Sequence, residues 1–186
     1  THCKPYLKLL FFLVENINML LKKNSGIILF SLVMAFSGSV FAVHHQENTA
    51  AENIKAATTF MNTLLTDRAT ADSFLHDEFD FLFMGISQMS NVPYNKETYW
   101  SVWMDMVVAP VVPNGFKKVE VIDAIGDDKG VALMVEGDAD GINGRYNNKY
   151  VFIFKFRDGK IISLREYSSD LMVETRLYKQ KLVVDE

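Results

Sequence analysis

The stretch YNNKYVFIFKFRDGKIISLREY, from Tyr146 to Tyr167, most narrows what this chain can fold into. Apolar and polar residues alternate along it, the period of a β-strand, and Asp158-Gly159 is a hairpin turn signal. Alternation sends successive side chains to opposite faces. Tyr150, Phe152, Phe154 and Phe156 then share one face of the first arm, and Lys149, Val151, Ile153, Lys155 and Arg157 share the other. In the second arm Ile162, Leu164 and Glu166 fall on one face, with Ile161, Ser163, Arg165 and Tyr167 opposite. An isolated hairpin cannot shield a row of four aromatic rings, so other elements must cover it.

The rest of the chain supplies them. Thr49-Ala50-Ala51-Glu52 forms a capping box, and Ile54, Ala57, Met61, Leu64 and Leu65 recur at helical spacing to near Asp67. Thr70 is placed to cap a second, short helix through Leu75, and Phe79 to Phe83 reads as a strand. Asn95 caps a third helix with Tyr99, Trp100, Trp103, Met104 and Val107 on one broad face, broken by the Pro- and Gly-containing run from Ala109 to Gly115. Strands follow from Phe116 to Ile125 and from Val131 to Asp138, with a loop at ADGINGR before the hairpin. Residues 169–181 suit a short helix or an edge element. Helices first and a strand meander after predict an α+β fold, with helices on one face of an antiparallel sheet.

The first forty-odd residues have another character. From Met19 to Ala42, Lys22 and Lys23 precede an apolar run, Ile27 to Phe36, and small residues near Ala42. That is the layout of a secretory signal peptide, and the run is short beside the roughly 20 residues a membrane span needs. The expected product is an exported domain, in the bacterial periplasm or secreted, and free of the membrane after cleavage. The alternative is an anchor left uncleaved. Residues 1–18 read as upstream sequence before Met19, residues 43–48, with His44 and His45, as a flexible tail, and 49–186 as one domain. Residues 43–186 hold 15 Lys or Arg against 22 Asp or Glu, a charge that argues against nucleic acid. The single cysteine, Cys3, lies ahead of that domain, which leaves it without disulfides.

With the DGKI turn and the REY run followed by Asp170, residues 146–171 resemble the C-terminal hairpin of SnoaL-like proteins, in the nuclear transport factor 2-like superfamily. The element order resembles that superfamily across the whole domain. The resemblance implies a cone in which a curved antiparallel or mixed sheet wraps about three N-terminal helices around an apolar pocket. Ketosteroid isomerase-like, limonene epoxide hydrolase-like and polyketide cyclase-like proteins share that fold. It implies a pocket role for Glu166, where the hydrolases and cyclases carry an aspartate. Glu136 falls near the second pocket aspartate of the hydrolases and Asp80 near a pocket tyrosine, which makes Glu166, Glu136 and Asp80 the candidate catalytic acids. Met134 stands where the hydrolases have the arginine that joins both acids, so their mechanism does not carry over. Trp103, Met134, Tyr150, Phe152, Phe154 and Leu164 are the candidate ligand-binding residues.

No Gly-rich phosphate loop, GxSxG elbow or cysteine nucleophile occurs in the domain. His76 near Asp77, Glu78 and Asp80 has no metal-site spacing, and Ile142 spoils the calcium-loop likeness of DADGING. Two functions fit. One is cofactor-free acid–base chemistry, of isomerase, cyclase, dehydratase or hydrolase type, on a small hydrophobic molecule. The other is binding of an apolar ligand or a partner protein without chemistry. Val151 and Ile153 between Lys149, Lys155 and Arg157, with Ile161 and Tyr167 adjoining, further predict a homodimer through the outer sheet face.

Overall fold

The computed structural model describes residues 49–183. The segments read from the sequence as a signal peptide (19–42), upstream sequence (1–18) and a tail (43–48) lie outside the described residues.

Helix α1 occupies 49–63, and its apolar stripe puts Ala57, Phe60 and Met61 into the core. Helix α2 is Arg68–Ser73, and its cap is Asp67 rather than Thr70. The Asp67 carboxylate accepts from the Thr70 amide at 3.1 Å, which turns Thr70 into a residue of the first helical turn. Strand β1, Leu75–Met84, starts four residues before the expected Phe79. Strand β2 is the pair Tyr94–Asn95. Helix α3 runs on through Lys96–Thr98, Tyr99–Val108 and Ala109–Val111, capped at its start by Asn95 in a reciprocal box with Thr98. Its central ten residues are wound as a π-helix.

Strands β3 (Phe116–Gly126), β4 (Val131–Gly141), β5 (Gly144–Arg157) and β6 (Lys160–Tyr167) complete the sheet. The expected ADGINGR loop is mostly strand, since β4 and β5 stay paired up to Gly141 and Gly144. Helix α4 follows as Asp170–Met172 and Val173–Leu177. The strand order is β2-β1-β6-β5-β4-β3, with β1 and β6 parallel and the other pairs antiparallel. This is the α+β class expected from the sequence.

The inner face of β5 carries Tyr146, Asn148, Tyr150, Phe152 and Phe154, all buried. Phe154 meets Phe60 of α1 edge-on at 6.0 Å, while Phe81 and Phe83 of β1 pack on Trp103 of α3 at 4.8 and 5.5 Å. The cover over this face therefore comes from two separate parts of the chain, α1 and α3.

Within the β5–β6 hairpin strict alternation fails at one residue. Lys155 pairs with Ser163 but Phe156 pairs with Ile161, so Ile162 is an extra residue in β6. The bulge turns Ile161 inward, where it is fully buried, and its amide donates to the Phe74 carbonyl at 2.8 Å. Ile161 is thus core and not part of the outer patch. Beyond the bulge the alternation resumes: Leu164 is buried, and Tyr167 is exposed on the outside with Val151 and Ile153. Ile161→Ala should cost about 2–5 kcal/mol and Val151→Ala under about 1 kcal/mol, measured by urea unfolding. Equal small losses at both positions would mean that Ile161 faces outward.

Candidate functional site

An apolar cavity of about 80 Å³ lies between the inner face of the sheet and the helices. Space of that order holds a few waters or part of a small ring. Phe152, Tyr150 and Tyr146 of β5 form its floor, Tyr99 and Trp103 of α3 one wall, and Val173 and Leu177 of α4 another. Leu64 and Leu65, in the turn just past α1, also line it, and Leu65 is exposed, which puts that end of the helix at the rim. Met89 closes it from the loop after β1. Two carboxylates of α4 tie that loop down: Asp170 accepts from the Ile86 amide at 3.0 Å and Glu174 from the Gln88 amide at 3.1 Å.

Among the candidate acids, Glu166 is the one on the cavity wall. It keeps some accessible surface, which belongs to the cavity it lines. Among the described residues its carboxyl makes no hydrogen bond and no ion pair. Loss of water without a compensating partner disfavours the charged form. Burial accordingly lifts the Glu166 pKa from 4.5 to about 8. Burial also raises Tyr99 and Tyr150 well above the usual phenol value, and the nearby Glu166 carboxylate adds to both shifts.

Its neighbour Arg165 cannot relieve it. Alternation sends the guanidinium to the outer face, where it pairs with the Asp80 carboxylate and donates to the Asp80 carbonyl at 3.2 Å. Asp80 is therefore outside the cavity, between the inward-facing Phe79 and Phe81. Glu136 is outside too. It is paired across β4 and β5 with Lys149, the side chains meet at 2.8 Å, and that contact holds the Glu136 carboxyl below its ordinary value. The three acids do not converge.

The candidate ligand-binding residues divide by the same parity. Trp103, Tyr150 and Phe152 line the cavity. Phe154 and Leu164 face inward but are sealed in the core, and Met134 lies on the outer face opposite Val151. Sequence reasoning missed Tyr146 and Tyr99. Tyr146 was legible, because it shares the parity of Tyr150. Tyr99 faces the cavity on the π-wound turn, a winding with no simple sequence signature. Among the described residues no group of three or more His, Cys, Asp or Glu could hold a metal ion.

The fold is similar to that of several solved structures. An LEH-like epoxide hydrolase of M. tuberculosis is 19% identical, matches over 70% of this chain and 92% of its own, and superposes with a TM-score of 0.54. An NTF2-like protein from Anabaena variabilis ATCC 29413 is 21% identical over 63% of this chain and 90% of its own, with a TM-score of 0.52. A protein from Jannaschia sp. CCS1, named for likeness to SnoaL-like polyketide cyclases, is 16% identical over 71% and 95%, with a TM-score of 0.58. This chain has the NTF2-like fold. No family profile and no curated protein sequence matches it. Within this NTF2-like fold, the sheet face under the helices is the one that carries Glu166.

The shift at Glu166 has a consequence for stability. The unfolded chain gives up this proton near 4.5, the folded chain near 8. Folding stability from the neutral form is complete below the lower value and is lost as pH rises through the upper one. Glu166→Gln should remove that loss. The variant should gain on the order of 4 kcal/mol on the parent between about pH 5 and pH 9, read from urea unfolding at both pH values. A constant difference between the two proteins would show that the carboxyl is solvated.

Proposed function

We propose that this chain is an exported pocket protein that performs cofactor-free acid–base chemistry on a small apolar molecule, with Glu166 moving the proton. The observation that carries the reading is the Glu166 carboxyl, unpartnered in an apolar cavity and shifted to about 8. A carboxyl at that value is protonated at neutral pH yet ionises readily. It can therefore give a proton or take one with little thermodynamic cost. The isomerase, cyclase and hydrolase readings all need such a group. Glu136 and Asp80 enter this reading as surface ion-pair partners instead.

Exchange of the methyl protons of acetophenone in heavy water, followed by proton NMR, tests it. Exchange should exceed the buffer rate, rise with pH to a plateau above about 8, and vanish in Glu166→Gln. Binding of acetophenone with exchange at the buffer rate would favour the second reading, a carrier without chemistry. Export rests on the signal-peptide layout of residues 19–42, and N-terminal sequencing of the secreted product should begin near Val43.

We also propose that two copies pair through the outer sheet face. Val151 and Ile153 are each 38% exposed and Tyr167 42%. Leu82 and Met84 of β1 adjoin them across β6, and the pairs Asp80–Arg165 and Glu136–Lys149 flank this apolar centre. An apolar centre with a charged rim suits a self-complementary contact. Val151→Asp should convert a dimer to a monomer in sedimentation experiments while leaving acetophenone exchange intact. A parent protein already monomeric at micromolar concentration would refute the pairing.

A further inference from the structure

The cavity that holds Glu166 is small for a whole ligand. At about 80 Å³ it takes the reacting end of a molecule, and the rest must leave on one side. The packing shows which side. Tyr99 and Trp103 of α3, Val173 and Leu177 of α4 and Met89 of the loop are all buried, so those walls are sealed. Besides Glu166, the lining residues that keep accessible surface are Leu64 and Leu65 in the turn past α1, Met104 and Val108 of α3, and Phe116 and Val119 of β3. They come from three segments of the chain, and all of them are apolar.

This rim is continuous with the cavity floor. The Phe116 ring stands edge-on to Tyr146 at 6.4 Å, and Leu65 marks the outer limit at 43% exposure. Aromatic rings dominate the inner lining, whereas the rim is mostly Leu, Met and Val. Unbranched Met104 adapts to an irregular or flexible neighbour. The charged side chains next to the rim in sequence are committed to one another. Arg68 pairs with Asp105, Lys117 with Asp140 at 2.6 Å, and Lys118 with Glu120. Each of these cations thus already has an acid, and none is free for a carboxylate or phosphate on the ligand.

We propose that the ligand carries an uncharged aliphatic chain, which leaves the cavity between α1, α3 and β3 and lies on Leu65, Met104, Val108, Phe116 and Val119. The inference rests on the pocket reading above and adds the class of molecule: a compact head at Glu166 and a hydrocarbon tail on the rim. A chain placed there removes apolar surface from water on both sides of the contact. A fully buried methylene raises affinity about fourfold, and one covered on a single side about twofold. A head without a tail leaves the rim wet and gains none of this.

The test uses acetophenones that keep the acetyl group and differ at the far end of the ring. Binding of acetophenone, 4′-butylacetophenone and 4-(4-acetylphenyl)butanoate is measured by NMR titration. The parent should bind the butyl compound about tenfold more tightly than acetophenone, and the butanoate more weakly than the butyl compound. Leu65→Asp changes an exposed position and puts a carboxylate on the rim, which should cut the preference for the butyl compound to about twofold. Nuclear Overhauser contacts from the butyl protons should reach the methyl groups of Leu65, Val108 and Val119, a reading that needs no variant. Contacts to Met89 and Val173 in their place would put the chain under the loop after β1 and overturn the proposal. A preference unchanged in Leu65→Asp would do the same, and tighter binding of the butanoate would overturn the uncharged class. Equal binding of acetophenone and the butyl compound by the parent would also overturn the chain, and in that case acetophenone exchange through Glu166 would still stand. Failure of the parent to bind any of the three would overturn both the chain and the pocket reading.

Discussion

The inner face of β5 is the constraint on which the rest of the fold depends. Five consecutive inward positions are three aromatic rings at one end, Phe154, Phe152 and Tyr150, followed by Asn148 and Tyr146. The aromatic end demands a dry cover, which α1 supplies through Phe60 and α3 through the rings around Trp103. At the amide and phenol end the cover is looser. There the wall is made by side chains of α4, by Met89 from a loop, and by the wide π-turn of α3. A row that changes from hydrocarbon to hydroxyl along its length produces a sealed core at one end and a cavity at the other.

The position of Glu166 follows from the same geometry. Adjacent residues of a strand face opposite ways, so Arg165 and Glu166 cannot neutralise each other. Arg165 is taken up by Asp80 on the outer face, and Glu136 by Lys149. The outer sheet is thus close to self-neutralised, and the inner carboxyl is left without a counter-charge. Burying an uncompensated acid costs stability, and the cost is met by keeping it protonated. A protein selected for stability alone would place leucine there.

Rigidity around the acid comes from unlike sources. Asn148 is held by backbone amides from two segments, those of Lys149 on β5 and Ser169 on the link to α4. The loop that carries Met89 is held instead by the carboxylates of Asp170 and Glu174. The Asp170 carboxylate approaches so closely that a Cβ on Gly85 would stand 2.4 Å from its Oδ1. Glycine at position 85 is what permits the loop to lie against α4.

Periodicity in the sequence determined most of the elements of this domain and the two faces of β5, because alternation is a local property of a strand and needs no partner to be read. It also separated Glu166 from Arg165 for the same reason. The convergence of the acids was not local. Glu136 and Asp80 carry the same kind of side chain as Glu166, and their exclusion from the cavity depended on which parity of β4 and β1 the pairing turned inward. The bulge at Ile162 was equally invisible, since one extra residue in β6 shows only against its partner strand, and it moved Ile161 from the outer face to the core. The cavity itself and the π-wound turn that brings Tyr99 to it were decided by tertiary packing. Each depends on segments far apart in the chain meeting at one end of the sheet, where apolar cover runs out before the polar groups do.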